Sequence, residues 1–172
     1  EIDDSSIPEK IEYAKKWLEK AKENNIDAVA ITDHNSVEWI QYIRSAKEEL
    51  EKMNVQSPEV FPGVELSVNT QKIHILVIFD KDKTQENLNS FMSMCNIMNS
   101  NFGDTNQYIT EDNLINAINR FKNEHNQKML IIPAHYSKEK GAGKLLTDME
   151  LKNVKYLFRG YARGDIPSSD IL

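Results

Sequence analysis

Only three residues, Asn69, Thr70 and Gln71, separate two stretches that both read as strands, at 59–68 and 72–79. A parallel crossover takes a dozen or more residues, so none fits in this link. The pair is expected to be antiparallel in part, or its first strand to kink near Pro62-Gly63. The rest of the chain pulls towards a parallel arrangement. Ile11, Ala14, Leu18 and Ala21 recur at helical spacing and Pro8 suits a first helical position, which predicts a helix over 8–24. Branched apolar residues at 26–31 predict a short buried strand. Asn35 and Glu38 form a variant capping box ahead of Val37, Ile40, Ile43, Leu50 and Met53, predicting a helix to about residue 53. Leu88, Phe91, Cys95 and Met98 follow the cap candidate Thr84, and Leu114, Ile118 and Phe121 follow Thr110; both sets have helical spacing. "MLIIPAH" at 129–135 reads as a strand, 154–158 as a further one, and the polar run 99–107 as a loop. Strands alternating with helices predict an α/β fold with a largely parallel sheet. The short link distorts that expectation into a mixed sheet or an irregular barrel.

A chain of 172 residues supports one domain with a proper core. With 40% apolar and 28% charged residues it has the composition of a globular protein. The net charge of −6 argues against broad nucleic-acid binding, while leaving room for a local basic loop that grips a phosphate. The single cysteine, Cys95, excludes a disulfide framework within the chain and fits a reducing, cytoplasmic compartment. No stretch reaches the roughly 18 uninterrupted apolar residues of a membrane span. No signal peptide is visible. The first residue is Glu1 rather than Met, so a fragment of a longer chain is expected.

Four places break the apolar strands with groups able to bind metal. Asp33-His34 follows "VAIT", Glu65 lies in "FPGVELSV", His74 lies in "KIHILVIF", and His135 ends "LIIPAH". Strand carboxyl ends and the loops after them are where α/β sheets and barrels bind ligands. Taken singly, each has an ordinary explanation. Asp33 would cap a turn, His74 would be a hydrogen-bonded core histidine, and His135 would be a surface residue at a strand end. Glu65 is harder to place, because glutamate is seldom buried without a partner. The coincidence carries the weight: three of the four histidines occupy strands or strand ends, and a divalent cation would compensate all of these groups together. His125, in "KNEHNQK", is the internal control and is expected to be solvated in a polar helix tail. Imidazoles with a carboxylate suit zinc, manganese or iron better than magnesium or calcium.

With these residues in view, the chain resembles the PHP family, named for polymerase and histidinol phosphatase. "NIDAVAITDHNSVE", "FPGVELSV", "KIHILVIFD" and "LIIPAH" are similar to four of its motifs, in order, across about residues 8–136. The resemblance implies a distorted (β/α)7 barrel with two or three divalent ions and the hydrolysis of phosphate esters through a metal-activated water. It implies that Glu65 bridges two ions, that His74 and His135 bind one of that pair, that His34 binds the third, and that Asp33 plays a catalytic part from a supporting position. The implied substrate is a phosphorylated small molecule or a nucleic-acid end. The family's opening His-x-His and closing Asp-x-His motifs are not found. The chain starts "EIDDSSIPEK" and ends "IPSSDIL", with Asp170 near the place of the last motif but no histidine after it. Residues 1–172 are therefore expected to form one PHP-like domain, incomplete at both ends.

"YSKEKGAGKLL", directly after His135, brings Lys138, Lys140 and Lys144 to a glycine-containing loop suited to a phosphate, or simply to solvent. It is not a Walker loop, since Leu145 stands where Ser or Thr would hold magnesium. Arg159 and Arg163 are weaker candidates of the same kind. The competing expectation is a degenerate, non-catalytic PHP-like module that stabilises or regulates a fused or associated ATPase or nucleic-acid enzyme. A sugar-binding or aldolase-type barrel would leave the strand imidazoles unexplained.

Overall fold

The structure is a computed structural model, and it describes residues 6–69, 73–125 and 129–134. Helix α1 spans Ile7–Glu23, with Pro8 in its first turn and Lys10, Ala14, Leu18 and Ala21 on its buried face. Strand β1 is Ala28–Ile31 and α2 is Trp39–Lys52. Strands β2 (Glu59–Val68) and β3 (Ile73–Phe79) follow, then α3 (Gln85–Met94), a 3-10 turn at Asn99–Asn101, α4 (Glu111–His125) and β4 (Met129–Pro133). Among the described residues no helix is long and apolar enough to cross a membrane.

Three helices stop in the same way. Asn25, Asn54 and Asn96 take positive φ values of 58, 58 and 59° just past α1, α2 and α3. In each case the next residue's N–H reaches back across the last turn: Ile26 to Ala21 at 3.1 Å, Val55 to Leu50 at 2.9 Å, Ile97 to Met92 at 2.9 Å. This is the Schellman arrangement, in which a left-handed residue lets the chain satisfy the last carbonyls. Asparagine tolerates that conformation better than other non-glycine residues. Helix α3 starts on Thr84, whose hydroxyl accepts the Asn87 N–H, as its place in the sequence predicts.

The sheet has the order β1-β2-β3-β4. β1 and β2 run parallel, and β2–β3 and β3–β4 are antiparallel. The sheet is mixed, as the short link at 69–71 leads one to expect for β2–β3. The antiparallel β3–β4 pair turns the expected, largely parallel arrangement into one parallel pair against two antiparallel ones. β2 changes partner along its length: Glu59 to Pro62 lie against β1, and Gly63 to Val68 lie against β3. Gly63 sits at this changeover for a steric reason. A Cβ there would meet the Val77 carbonyl oxygen and Thr32 Cγ2 at 2.9 Å and the Ile31 carbonyl oxygen at 3.1 Å.

One face of the sheet carries α3 and α4, with Phe79, Phe91 and Phe121 mutually edge-to-face at ring-centroid distances of 4.9 to 5.4 Å. Several local expectations change. β1 is not a buried strand: only Ile31 is buried, Ile26 is 42% exposed, and among the described residues β1 pairs on one side alone. Asn35 does not cap α2, which begins at Trp39 behind Glu38 with no side-chain cap bond. The α3 stripe ends before Met98, which is 61% exposed, because the chain turns at Asn96. Residues 154–158 lie outside the described residues.

Candidate metal centre

Alternation along β2 and β3 sets the site. Val64, Leu66 and Val68 point into the core, so Glu65 and Ser67 share the other face of β2. In the antiparallel register Ser67 stands opposite His74 and Glu65 opposite Leu76. Beyond β1 the chain continues along β2 for one more step: Glu65 N–H donates to the Asp33 carbonyl at 3.0 Å and Asn35 N–H donates to the Glu65 carbonyl at 2.7 Å. His34 therefore forms a parallel bridge with Glu65.

Three side chains from three segments meet here. His74 Nδ1 is 3.0 Å from Glu65 Oε1, His34 Nδ1 is 3.9 Å from Glu65 Oε2, and the two imidazole rings are 4.9 Å apart, edge to face. Their side chains are 20 to 28% exposed, so the cluster opens on solvent while keeping most of its surface covered. One potential ligand atom from each lies within 4.8 Å of the other two. Two donors bound to one ion at about 2.0–2.2 Å stand no more than roughly 4.3 Å apart, and both separations to the Glu65 carboxylate meet that condition. Two imidazoles and a carboxylate fit a divalent cation.

The other predicted residues fall differently. Asp33 is outside this three-donor group. Asp33 lines a cavity of about 330 Å³ with Tyr13, Trp17, Thr32 and Trp39, and its carbonyl holds the Glu65 amide. His135, Lys138, Lys140, Lys144, Arg159, Arg163 and Asp170 lie outside the described residues. His125 ends α4 as expected and joins no metal-capable group among the described residues, but it is half-buried rather than solvated, its ring 4.5 Å from that of Phe121. A helix tail that packs on the aromatic core covers even its polar end.

Two residues that sequence reasoning missed complete the cluster. Ser67, fully buried, places its hydroxyl 3.1 Å from His34 Nε2. Asn35, also fully buried and at a φ of 47°, accepts the Ser67 N–H at 3.2 Å and donates its amide to the carbonyls of Asp104 and Gln107 at 3.1 and 3.0 Å. Ser67 had a usable signal, since it is two residues from Glu65 and so on the same strand face.

A mixed α/β sheet with two imidazoles and a carboxylate gathered on one face defines a candidate metal-binding α/β protein. The PHP domain family model matches residues 5–149, and the chain belongs to that family. Its fold is similar to that of a crystal structure from Bifidobacterium adolescentis ATCC 15703, a protein named for an inferred metal-dependent phosphoesterase activity. The two share 16% identity over 90% of this chain and 73% of that one, with a TM-score of 0.56, a likeness of fold. No curated protein sequence matches the chain significantly.

Proposed function

We propose that this chain is a PHP-type, metal-dependent phosphoesterase unit, acting on a phosphomonoester or a nucleic-acid phosphodiester. The observation that carries the reading is the convergence of His34, Glu65 and His74, from three separate segments, within one ion's reach. Residues 1–172 are read as one domain belonging to a distorted (β/α)7-type barrel, a reading favoured by the change of strand partner along β2 and by the ligands sharing one sheet face. Glu65 is the central ligand, with one carboxylate oxygen turned towards each imidazole. His135, two positions after Pro133 at the end of β4, is proposed as a further ligand on sequence grounds. Zinc, manganese or iron suits the nitrogen and oxygen donors.

A bound divalent ion would lower the pKa of its water towards about 7 and neutralise charge on phosphate oxygens. The chain's own contribution is positional. The Glu65 backbone donates to the Asp33 carbonyl and accepts from the Asn35 N–H, which holds the His34 segment alongside Glu65. Asp33 is proposed to support the reaction from this outer position rather than to bind the ion. Lys138, Lys140 and Lys144 are proposed to grip the phosphate. The cytoplasm is the proposed compartment.

Metal content of protein purified without chelator, together with turnover of an aryl phosphate and of single-stranded DNA with added manganese, tests this reading. Bound metal with turnover of either substrate is expected, both lost in Glu65→Ala. Metal content unchanged in that variant would sink the site. Stoichiometric metal without turnover would favour a second reading, a non-catalytic PHP-like module beside a larger ATPase or nucleic-acid enzyme. That reading draws on the donor set, since the described residues bring together ligands for one ion only.

A further inference from the structure

We propose that Ser67 is a positioning residue that selects which nitrogen of His34 faces the ion; the inference rests on the metal site proposed above. A neutral imidazole carries one proton on one nitrogen and a lone pair on the other. His34 turns Nδ1 towards the Glu65 carboxylate, at 3.9 Å, and Nε2 towards the Ser67 hydroxyl, at 3.1 Å. At 3.9 Å the Glu65 contact is too long for a hydrogen bond but suits two donors sharing a cation. For Nδ1 to offer its lone pair there, the ring proton must sit on Nε2, and the Ser67 oxygen is placed to accept it. The Ser67 contact then fixes ring orientation and tautomer, as outer partners do for metal-bound histidines in general.

The placement of Ser67 is itself supported. A fully buried hydroxyl needs a partner, and alternating core positions on the same strand are filled by Val64, Leu66 and Val68. Its backbone N–H is held by the Asn35 side chain, whose amide is in turn fixed by the Asp104 and Gln107 carbonyls. The Gly103 N–H adds a bond to the Asn35 carbonyl at 3.3 Å. A chain of contacts thus runs from the 103–107 segment through Asn35 and Ser67 to the His34 ring.

The test compares zinc affinity of the 172-residue chain, by competition with a chelator of known affinity, with the nitrogen chemical shifts of the metal-free His34 ring at a pH where it is neutral. Ser67→Ala should lose roughly 10–100-fold in zinc affinity, the usual scale for removing such a partner. Its His34 should change from a single Nε2–H tautomer to a mixture. Ser67→Thr, which keeps the hydroxyl, should recover most of the affinity, and Ser93→Ala, at an exposed hydroxyl bonded to the Asn89 carbonyl, should leave it unchanged. Ser67→Ala with zinc affinity within twofold of the parent and an unchanged tautomer would overturn the role of Ser67. A parent chain that binds no zinc, manganese or iron would overturn the metal site instead.

Discussion

The β2–β3 hairpin presents two faces made by alternate residues of the same strands, and they are built on opposite principles. Val64, Leu66, Val68, Ile73, Ile75 and Val77 form one face, none more than 1% exposed, packed with the Phe79, Phe91 and Phe121 cluster. Glu65, Ser67 and His74 stand on the other, where a carboxylate and an imidazole remain partly open to solvent. The first face gains free energy from apolar burial; the second carries the candidate metal ligands and gains less from burial. Stability and metal binding should therefore separate by substitution. Phe91→Ala should cost about 3–5 kcal/mol in metal-free urea denaturation. Glu65→Gln, nearly isosteric and partly exposed, should change metal-free stability by less than about 1 kcal/mol. Zinc should then stabilise the parent by about 2.7 kcal/mol at a hundredfold excess over its dissociation constant, and Glu65→Gln hardly at all. Equal metal-free costs for the two variants would break the comparison.

Gly63 is where the two faces become dependent on each other. A methyl group there meets backbone oxygens of both β1 and β3 at about 3 Å, and neither can move aside without widening the sheet. Gly63→Ala should cost about 1–3 kcal/mol by denaturation. It should also weaken zinc binding, because the same widening separates His34 from His74. A variant that lost stability and kept its zinc affinity would show that the ligand geometry is set locally, downstream of the changeover.

Much of this arrangement was legible in the sequence, and the reasons are physical. Helical spacing located α1, α3 and α4 because their apolar stripes face a core, and the three-residue link at 69–71 forced the β2–β3 pair to be antiparallel. Glu65 and His74 stood out because ionisable groups in apolar strands need compensation. Less legible was anything decided by pairing in space. The place of β1 at one end of the described sheet depends on which strand lies beside it, and an isolated run such as "AVAI" reads the same at an edge or in a centre. Asn35 looked like a cap because it precedes a helix, whereas its side chain is taken by Ser67, Asp104 and Gln107, up to 72 positions away.

The Schellman ends offer a smaller effect confined to the apolar half of the comparison. Asn96 directs the chain from α3 back to the buried Ile97. Asn96→Ala, at a φ of 59°, should cost about 1 kcal/mol, and Asn96→Gly should be close to neutral. Neither should alter zinc affinity. A loss of affinity in Asn96→Ala would mean that the α3 end reaches the polar face through the segment that follows it.

The smallest expected effect lies at the start of α1, which belongs to neither face of the hairpin. The Ser6 backbone N–H and hydroxyl both donate to Glu9 Oε2 at 2.8 Å, and these bonds, the backbone one first, hold the Glu9 carboxyl below its ordinary value of 4.5. A carboxyl whose folded pKa is lowered contributes stability that is fully present above its unfolded value and lost as the pH falls through the folded one. The thermal midpoint of the parent should therefore fall relative to that of Glu9→Gln as the pH drops below about 4.5, the two curves running parallel at neutral pH. Glu9 is fully exposed, so the divergence should shrink in high salt, unlike the cost of Phe91→Ala. Zinc affinity at neutral pH should be the same in both. If Glu9→Gln changed it, α1 would have to transmit strain through its packing on α2 to the His34 segment, and the two faces would not be as independent as their alternation implies.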